Sequence, residues 1–79
     1  MPRQRIGTGA NFVFPPGTIQ DSAEVDNLHN VNGNVNYQIN AQQVVTIPIR
    51  PNEENVINHV YGQQLTVWNN CPNSIEIVY

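Results

Sequence analysis

From residue 29 to residue 49 the odd positions read His, Val, Gly, Val, Tyr, Ile, Ala, Gln, Val, Ile, Ile. The even positions from 30 to 42 are all carboxamides: Asn30, Asn32, Asn34, Asn36, Gln38, Asn40 and Gln42. Alternation with a period of two is the mark of strands that bury one face and wet the other. The Asn32-Gly33 pair suggests a hairpin turn. A two-residue turn there would mix apolar and amide groups on both faces. A three-residue loop over Asn32, Gly33 and Asn34 pairs Val31 with Val35 and His29 with Tyr37, and keeps the faces sorted, so it is the expected register. A second turn over 40–43 separates this strand from the next. Pro48 has no N–H for a ladder, which puts that next strand at an edge or a bulge.

Further along, 50–55 is polar and opened by a proline, and reads as a loop, or alternatively as the start of a short helix through His59 with Asn52 as its cap and Val56 and Val60 on one side. Residues 56–61, "VINHVY", are rich in β-branched side chains and read as a strand stopped by Gly62. Residues 63–70 and 74–79 are clearer strands, joined by turn-formers around Pro72. Residues 1–24 lack a sustained period and carry three prolines and three glycines, yet hold Ile6, Phe12, Phe14 and Ile19. That combination predicts an extended arm that buries Phe12 and Phe14 against the chain's own core or against a neighbouring subunit, the neighbour being preferred. Asp21 and Glu24 have the spacing of a capping box for a single helical turn. The pattern as a whole predicts an all-β protein: a small sandwich, jelly-roll-like or barrel module of five to six short strands over 25–79, preceded by an arm over 1–24.

Length and composition then bear on association. A domain of 79 residues has a thin core, and domains of this size usually lean on a disulfide, a metal or other subunits. Cys71 is the only cysteine, so a disulfide could form only with a copy of the chain, and the two histidines, His29 and His59, stand thirty residues apart. Neither makes a convincing metal site. Association remains by elimination. Charged residues are 11% of the chain, against about 25% in ordinary domains. Lysine is absent, while Asn and Gln together number 20. Such a surface has little of the charge that keeps strand edges and copies apart. A net charge of −3 with no basic cluster excludes nucleic acid as a main partner. No run of 18 apolar residues exists to span a membrane. Nor does the N-terminus carry a signal-peptide core. Synthesis in the cytoplasm is the expectation, with incorporation into a virion or an extracellular assembly as the destination that suits a structural subunit.

The amide-rich face admits three readings: a solvated strand face, a surface on which copies pair through self-complementary amides, or a sugar-binding face, since carboxamides both donate and accept. Val35 and Tyr37 match the closing V-x-Y of the monocot mannose-lectin motif Q-x-D-x-N-x-V-x-Y. However, His29, Val31 and Gly33 stand where Gln, Asp and Asn are required, so that motif does not carry over. Tyr37, Tyr61 and Trp68 are the candidate aromatic contacts, although a lone Trp in so small a domain is expected in the core. His29 is expected to cap a core edge. No nucleophile, triad, phosphate loop or calcium loop is recognisable, and the chain is not expected to be an enzyme or to hold a cofactor. Small, charge-poor, Asn-rich β chains with a proline-broken arm resemble, in style, the cement or decoration proteins of virus particles and the subunits of fibres and appendages. The expected function is a non-enzymatic structural subunit that engages copies of itself or a larger assembly. Phe12 and Phe14 would dock the arm, and the even positions from Asn30 to Gln42 would make lateral contacts. A small carbohydrate-binding module, with a glycan as partner, is the alternative.

Overall fold

The computed structural model describes residues 1–27, 29–30 and 32–79. The described residues are all-β, with eight short strands and no helix. These are β1 (Arg3–Ile6), β2 (Asn11–Phe14), β3 (Ala23–Asn27), β4 (Gly33–Ile39), β5 (Val45–Ile49), β6 (Glu54–Ile57), β7 (Leu65–Asn69) and β8 (Ile75–Val78). They form two four-stranded antiparallel sheets, ordered β1-β8-β3-β6 and β2-β7-β4-β5. Only β4 and β5 are consecutive strands in one sheet; every other connection carries the chain from one sheet to the other.

The reason lies in strand length. Strands of four to seven residues turn only two to four side chains inward, too few for either sheet to be stable alone. Ile6, Val25, Ile57, Ile75 and Ile77 from the first sheet join Phe14, Val35, Ile39, Ile49, Leu65 and Val67 from the second in one core cluster. Phe12, Tyr37, Ile47 and Tyr79 pack against its margin. The rings of Phe12 and Phe14 lie 4.8 Å apart, and Phe14 meets Tyr79 edge-on at 5.1 Å.

Several expectations are corrected. There are eight strands rather than five to six, because the first 24 residues supply β1, β2 and the start of β3 instead of an arm. These strands are four or five residues long between Pro- and Gly-containing turns, too short to show a period. Phe14 is completely buried in the chain's own core, so it is not free to dock on a neighbour. The Asp21–Glu24 box caps no helix, since Glu24 pairs with Val56 and Val78 within β3. The hairpin across Asn32-Gly33 does not form: Tyr37 pairs with Val45 and Val67 rather than with His29, and Val31 lies outside the described residues. His29 is exposed and caps no core edge. The strand expected over 56–61 runs from Glu54 to Ile57, and His59 and Tyr61 beyond it adopt positive φ in a turn. The turn over 40–43 and the edge position of Pro48 on β5 agree with expectation.

One end of the molecule is tied by Asn69, whose side chain is wholly buried. Its Nδ2 donates to the carbonyls of Ile6 (2.9 Å) and Asn73 (2.8 Å), and its Oδ1 accepts from the Cys71 amide (2.8 Å). Its backbone exchanges bonds with Gly9 and Ala10. A single residue thereby satisfies the connection from β1 to β2 and the turn from β7 to β8. Beside it, Gly33 lies so close to Cys71 that a Cβ would fall 2.5 Å from Sγ and 2.8 Å from Cα.

Two variants test this end. Asn69→Ala strands three buried backbone groups and should lower the unfolding free energy by about 2–4 kcal/mol. Urea denaturation measures it, and a loss under about 0.5 kcal/mol would show that water replaces the amide. Gly33→Ala drives a methyl into Cys71 and should cost about 1–3 kcal/mol. A variant with an unchanged midpoint would mean that the 70–74 turn yields freely.

Candidate functional site: the uncharged sheet face

The nine charged residues are sorted between the sheets. Arg3, Arg5, Glu24, Asp26, Glu54 and Glu76 lie on strands of the first sheet, and Asp21, Arg50 and Glu53 lie in connections. No strand of β2-β7-β4-β5 carries a charge. Its inward positions are filled by the core, so alternation turns Asn11, Val13, Thr66, Trp68, Asn34, Asn36, Gln38, Thr46 and Pro48 outward. One continuous row runs Asn11–Trp68–Asn36–Thr46 across all four strands, and the next runs Val13–Thr66–Gln38.

Trp68 is at the middle of this face. It is half-buried and absent from the core cluster, which corrects the expectation of a core tryptophan. The register decides this: Leu65, Val67 and Asn69 take the inward positions of β7, leaving Trp68 on the other side. Trp68, Asn36, Asn70 and Val44 line an open cavity of about 280 Å³. A neighbouring cavity of about 320 Å³ is lined by Asn32, Gly33, Asn34, Pro48, Ile49 and Arg50. Val13, Val44 and Val45 are at least 40% exposed and border the same sheet.

The ladder of seven amides reduces to three on the strand, and two of these bond within the chain. Asn34 is exposed, Asn36 Oδ1 accepts from the Thr46 hydroxyl (2.7 Å), and Gln38 Nε2 donates to the Gln42 carbonyl (2.9 Å). Asn40 sits in the turn at φ 51°, where Asn is tolerated better than most residues. Its amide bonds Gln63 Oε1 and the Gln64 N–H, so it closes the loop ends rather than offering a lateral contact. Gln42 is exposed in the same turn, and Asn30 and Asn32 are exposed before β4 begins. Phe12 is half-buried against the core, and Tyr37 likewise. Tyr61 is 63% exposed on a turn elsewhere, where its hydroxyl lies 2.9 Å from His59 Nδ1. Trp68, Asn34, Asn36 and Gln38 are therefore brought together, whereas Tyr61 and the two phenylalanines are not. Asn11, Val13, Val44, Thr66 and Asn70 were missed, because their place on the face depends on strand order.

The opposite sheet has different chemistry. Its outward rows are Arg3–Val78–Glu24–Val56 and Arg5–Glu76–Asp26–Glu54. Arg3 reaches Glu76 (3.1 Å) and Asp26 (3.7 Å), and Arg5 reaches Glu76 (3.4 Å). Carboxylate oxygens of Glu24, Asp26 and Glu54 lie within 4.8 Å of one another. A hydrogen bond with Glu54, then desolvation and the nearby charge of Asp26, raise the Glu24 pKa above 4.5. Cys71 is buried, and burial pushes its thiol above the usual range. Its side chain packs within the core cluster. Among the described residues no helix is long and apolar enough to cross a membrane.

The raised Glu24 pKa fixes the sign of a pH effect. Above 4.5 the folded chain holds this proton more tightly than the unfolded chain, so stability falls as pH rises through the raised value. Glu24→Gln should raise the thermal midpoint near neutral pH and flatten its slope against pH above 4.5. An unchanged slope in a calorimetric series would place the titration on another group.

Comparison of the chain with protein-family models, with curated proteins and with solved structures gave no match.

Proposed function

We propose that the chain is a non-enzymatic structural subunit that docks on copies of itself or on a larger assembly through the outward face of β2-β7-β4-β5. The observation that carries this reading is the sorting of charge: six of nine charged residues are on one sheet and none on the other. Buried centres of protein interfaces are depleted of charge and enriched in aromatic residues. A neutral face centred on Trp68 has that composition, and a half-buried Trp is the kind of anchor that dominates binding energy. The strand orders support a two-sheet sandwich of the jelly-roll type, in which paired strands β1β2, β8β7, β3β4 and β6β5 are each divided between the sheets. Such sandwiches serve as viral capsid and lectin domains alike, and architecture alone does not choose between them. A virion cement or decoration subunit, or a subunit of a fibre or appendage, fits a domain so poor in charge.

A second reading, a small carbohydrate-binding module, is favoured by one arrangement. Trp68 shares its cavity with Asn36 and Asn70, which joins an aromatic surface to groups that both donate and accept hydrogen bonds.

Light scattering over a dilution series, on the wild type and on Trp68→Ala, separates the two. Assembly predicts a wild-type mass that rises above 8.9 kDa with concentration. It also predicts a Trp68→Ala variant that associates at least tenfold more weakly, with unchanged circular dichroism. A wild type that stays at 8.9 kDa throughout, with glycan-array binding lost in Trp68→Ala, would replace the assembly reading by the second one.

A further inference from the structure

Among the described residues the first sheet ends in two edge strands, β1 and β6, each with one strand partner. They are opposite in charge. β1 carries Arg3 and Arg5, whose side chains are 57% and 66% exposed despite their bonds to Glu76 and Asp26. At the other edge β6 carries exposed Glu54, with Glu24 and Asp26 crowded beside it on β3. Among the described residues only Asp26 of these three has an arginine within 4.0 Å, namely Arg3.

We propose that β1 of one copy adds antiparallel to β6 of the next, so that the sheet continues head to tail from subunit to subunit. This rests on the assembly reading and names a second copy as the partner, through a surface other than the Trp68 face. Strand polarity allows it. All three pairings in β1-β8-β3-β6 are antiparallel, so β6 and β1 run in opposite directions. A copy displaced along the sheet therefore meets β6 in the correct sense. The rows match as well. Extending Arg5–Glu76–Asp26–Glu54 by one strand sets Arg5 of the second copy beside Glu54. Extending Arg3–Val78–Glu24–Val56 sets its Arg3 beside Val56 and one strand from Glu24. Cross-strand pairs of opposite charge stabilise antiparallel sheets, and a guanidinium arriving here relieves the carboxylate crowding.

The same charges select the mode of contact. Pairing of β1 with β1 would set Arg3 against Arg5, and pairing of β6 with β6 would bring the two Glu24–Asp26–Glu54 groups together at one seam, so both self-matched dimers are disfavoured. What remains is heterologous contact, which gives a filament or, if the rotation closes, a ring. The uncharged sheet has no equivalent code at its edges, and Pro48 on β5 lacks an N–H for any added strand.

Charge reversal tests this. In light scattering and negative-stain imaging, Arg5→Glu alone and Glu54→Arg alone should each associate roughly tenfold more weakly than wild type. Wild-type association itself should weaken as salt is added. Glu54→Arg removes an acid from the crowded group, so its folding is not at risk. An equimolar mixture of the two variants should regain assembly, because each then presents the charge that the other needs; a variant that had merely failed to fold would not be rescued. The inference is overturned if the wild type shows no association at any concentration. It is equally overturned if either single reversal leaves association unchanged, or if the mixture does not recover. Trp68→Ala leaves both edges intact, so loss of association in that variant with none in the reversals would sink the edge contact and spare the Trp68 face.

Discussion

Mutual burial of the two sheets is the constraint on which everything else depends. No strand exceeds seven residues, so neither sheet can hide its apolar side without the other. The chain answers by crossing between sheets at all but one connection. Each crossing contributes a strand to both inner faces. The result is a core in which Phe14, Leu65 and Val67 of one sheet share a cluster with Val25, Ile75 and Ile77 of the other. Removing the first two strands would therefore open both sheets at once, which is why the first 24 residues belong to the folded unit.

Once the inner faces are committed to apolar contact, the outer faces are free to differ, and they do. One is a lattice of arginines and carboxylates, in which Val78 stands between Arg3 and Glu24 and is only 4% exposed although it points outward. The other is neutral, with Trp68 between Asn11 and Asn36. Charge on the first face gives direction and selectivity to contact. Lack of charge on the second lowers the desolvation cost of covering it. The proposed assembly uses both properties, on separate surfaces.

The high amide content has a more local meaning than a continuous ladder. Asn69 holds three backbone groups at the buried end of β7. Asn40 supplies both a left-handed turn residue and a clamp on Gln63 and Gln64. Asn27 accepts from the His29 amide just after β3. Short connections between sheets leave backbone groups without ladder partners, and a carboxamide satisfies a donor and an acceptor at once without importing a charge. Asn36, Gln38 and Asn34 are the members of the alternating run that reach the outer face from within a strand.

Alternation from 33 to 39, the break at 40–43, the edge role of Pro48 and the strands before and after Pro72 were all legible from sequence, because a period of two and a proline act within a few residues. The all-β class followed from the same local signals. The rest was decided by tertiary structure. β1 and β2 lie in a stretch broken by prolines and glycines, where no period registers, and β6 begins inside a polar segment that reads as a loop; all three exist because partners in β8, β7 and β3 complete their ladders. Trp68 faces outward because the core claims Leu65 and Val67 on the alternate positions, a choice made by the facing sheet and not by β7. The sorting of charge between two sheets is invisible along a chain that crosses between them at nearly every turn. Local chemistry determined where strands could form; only the shared burial of two sheets determined which residues look inward, which look out, and which meet across an edge.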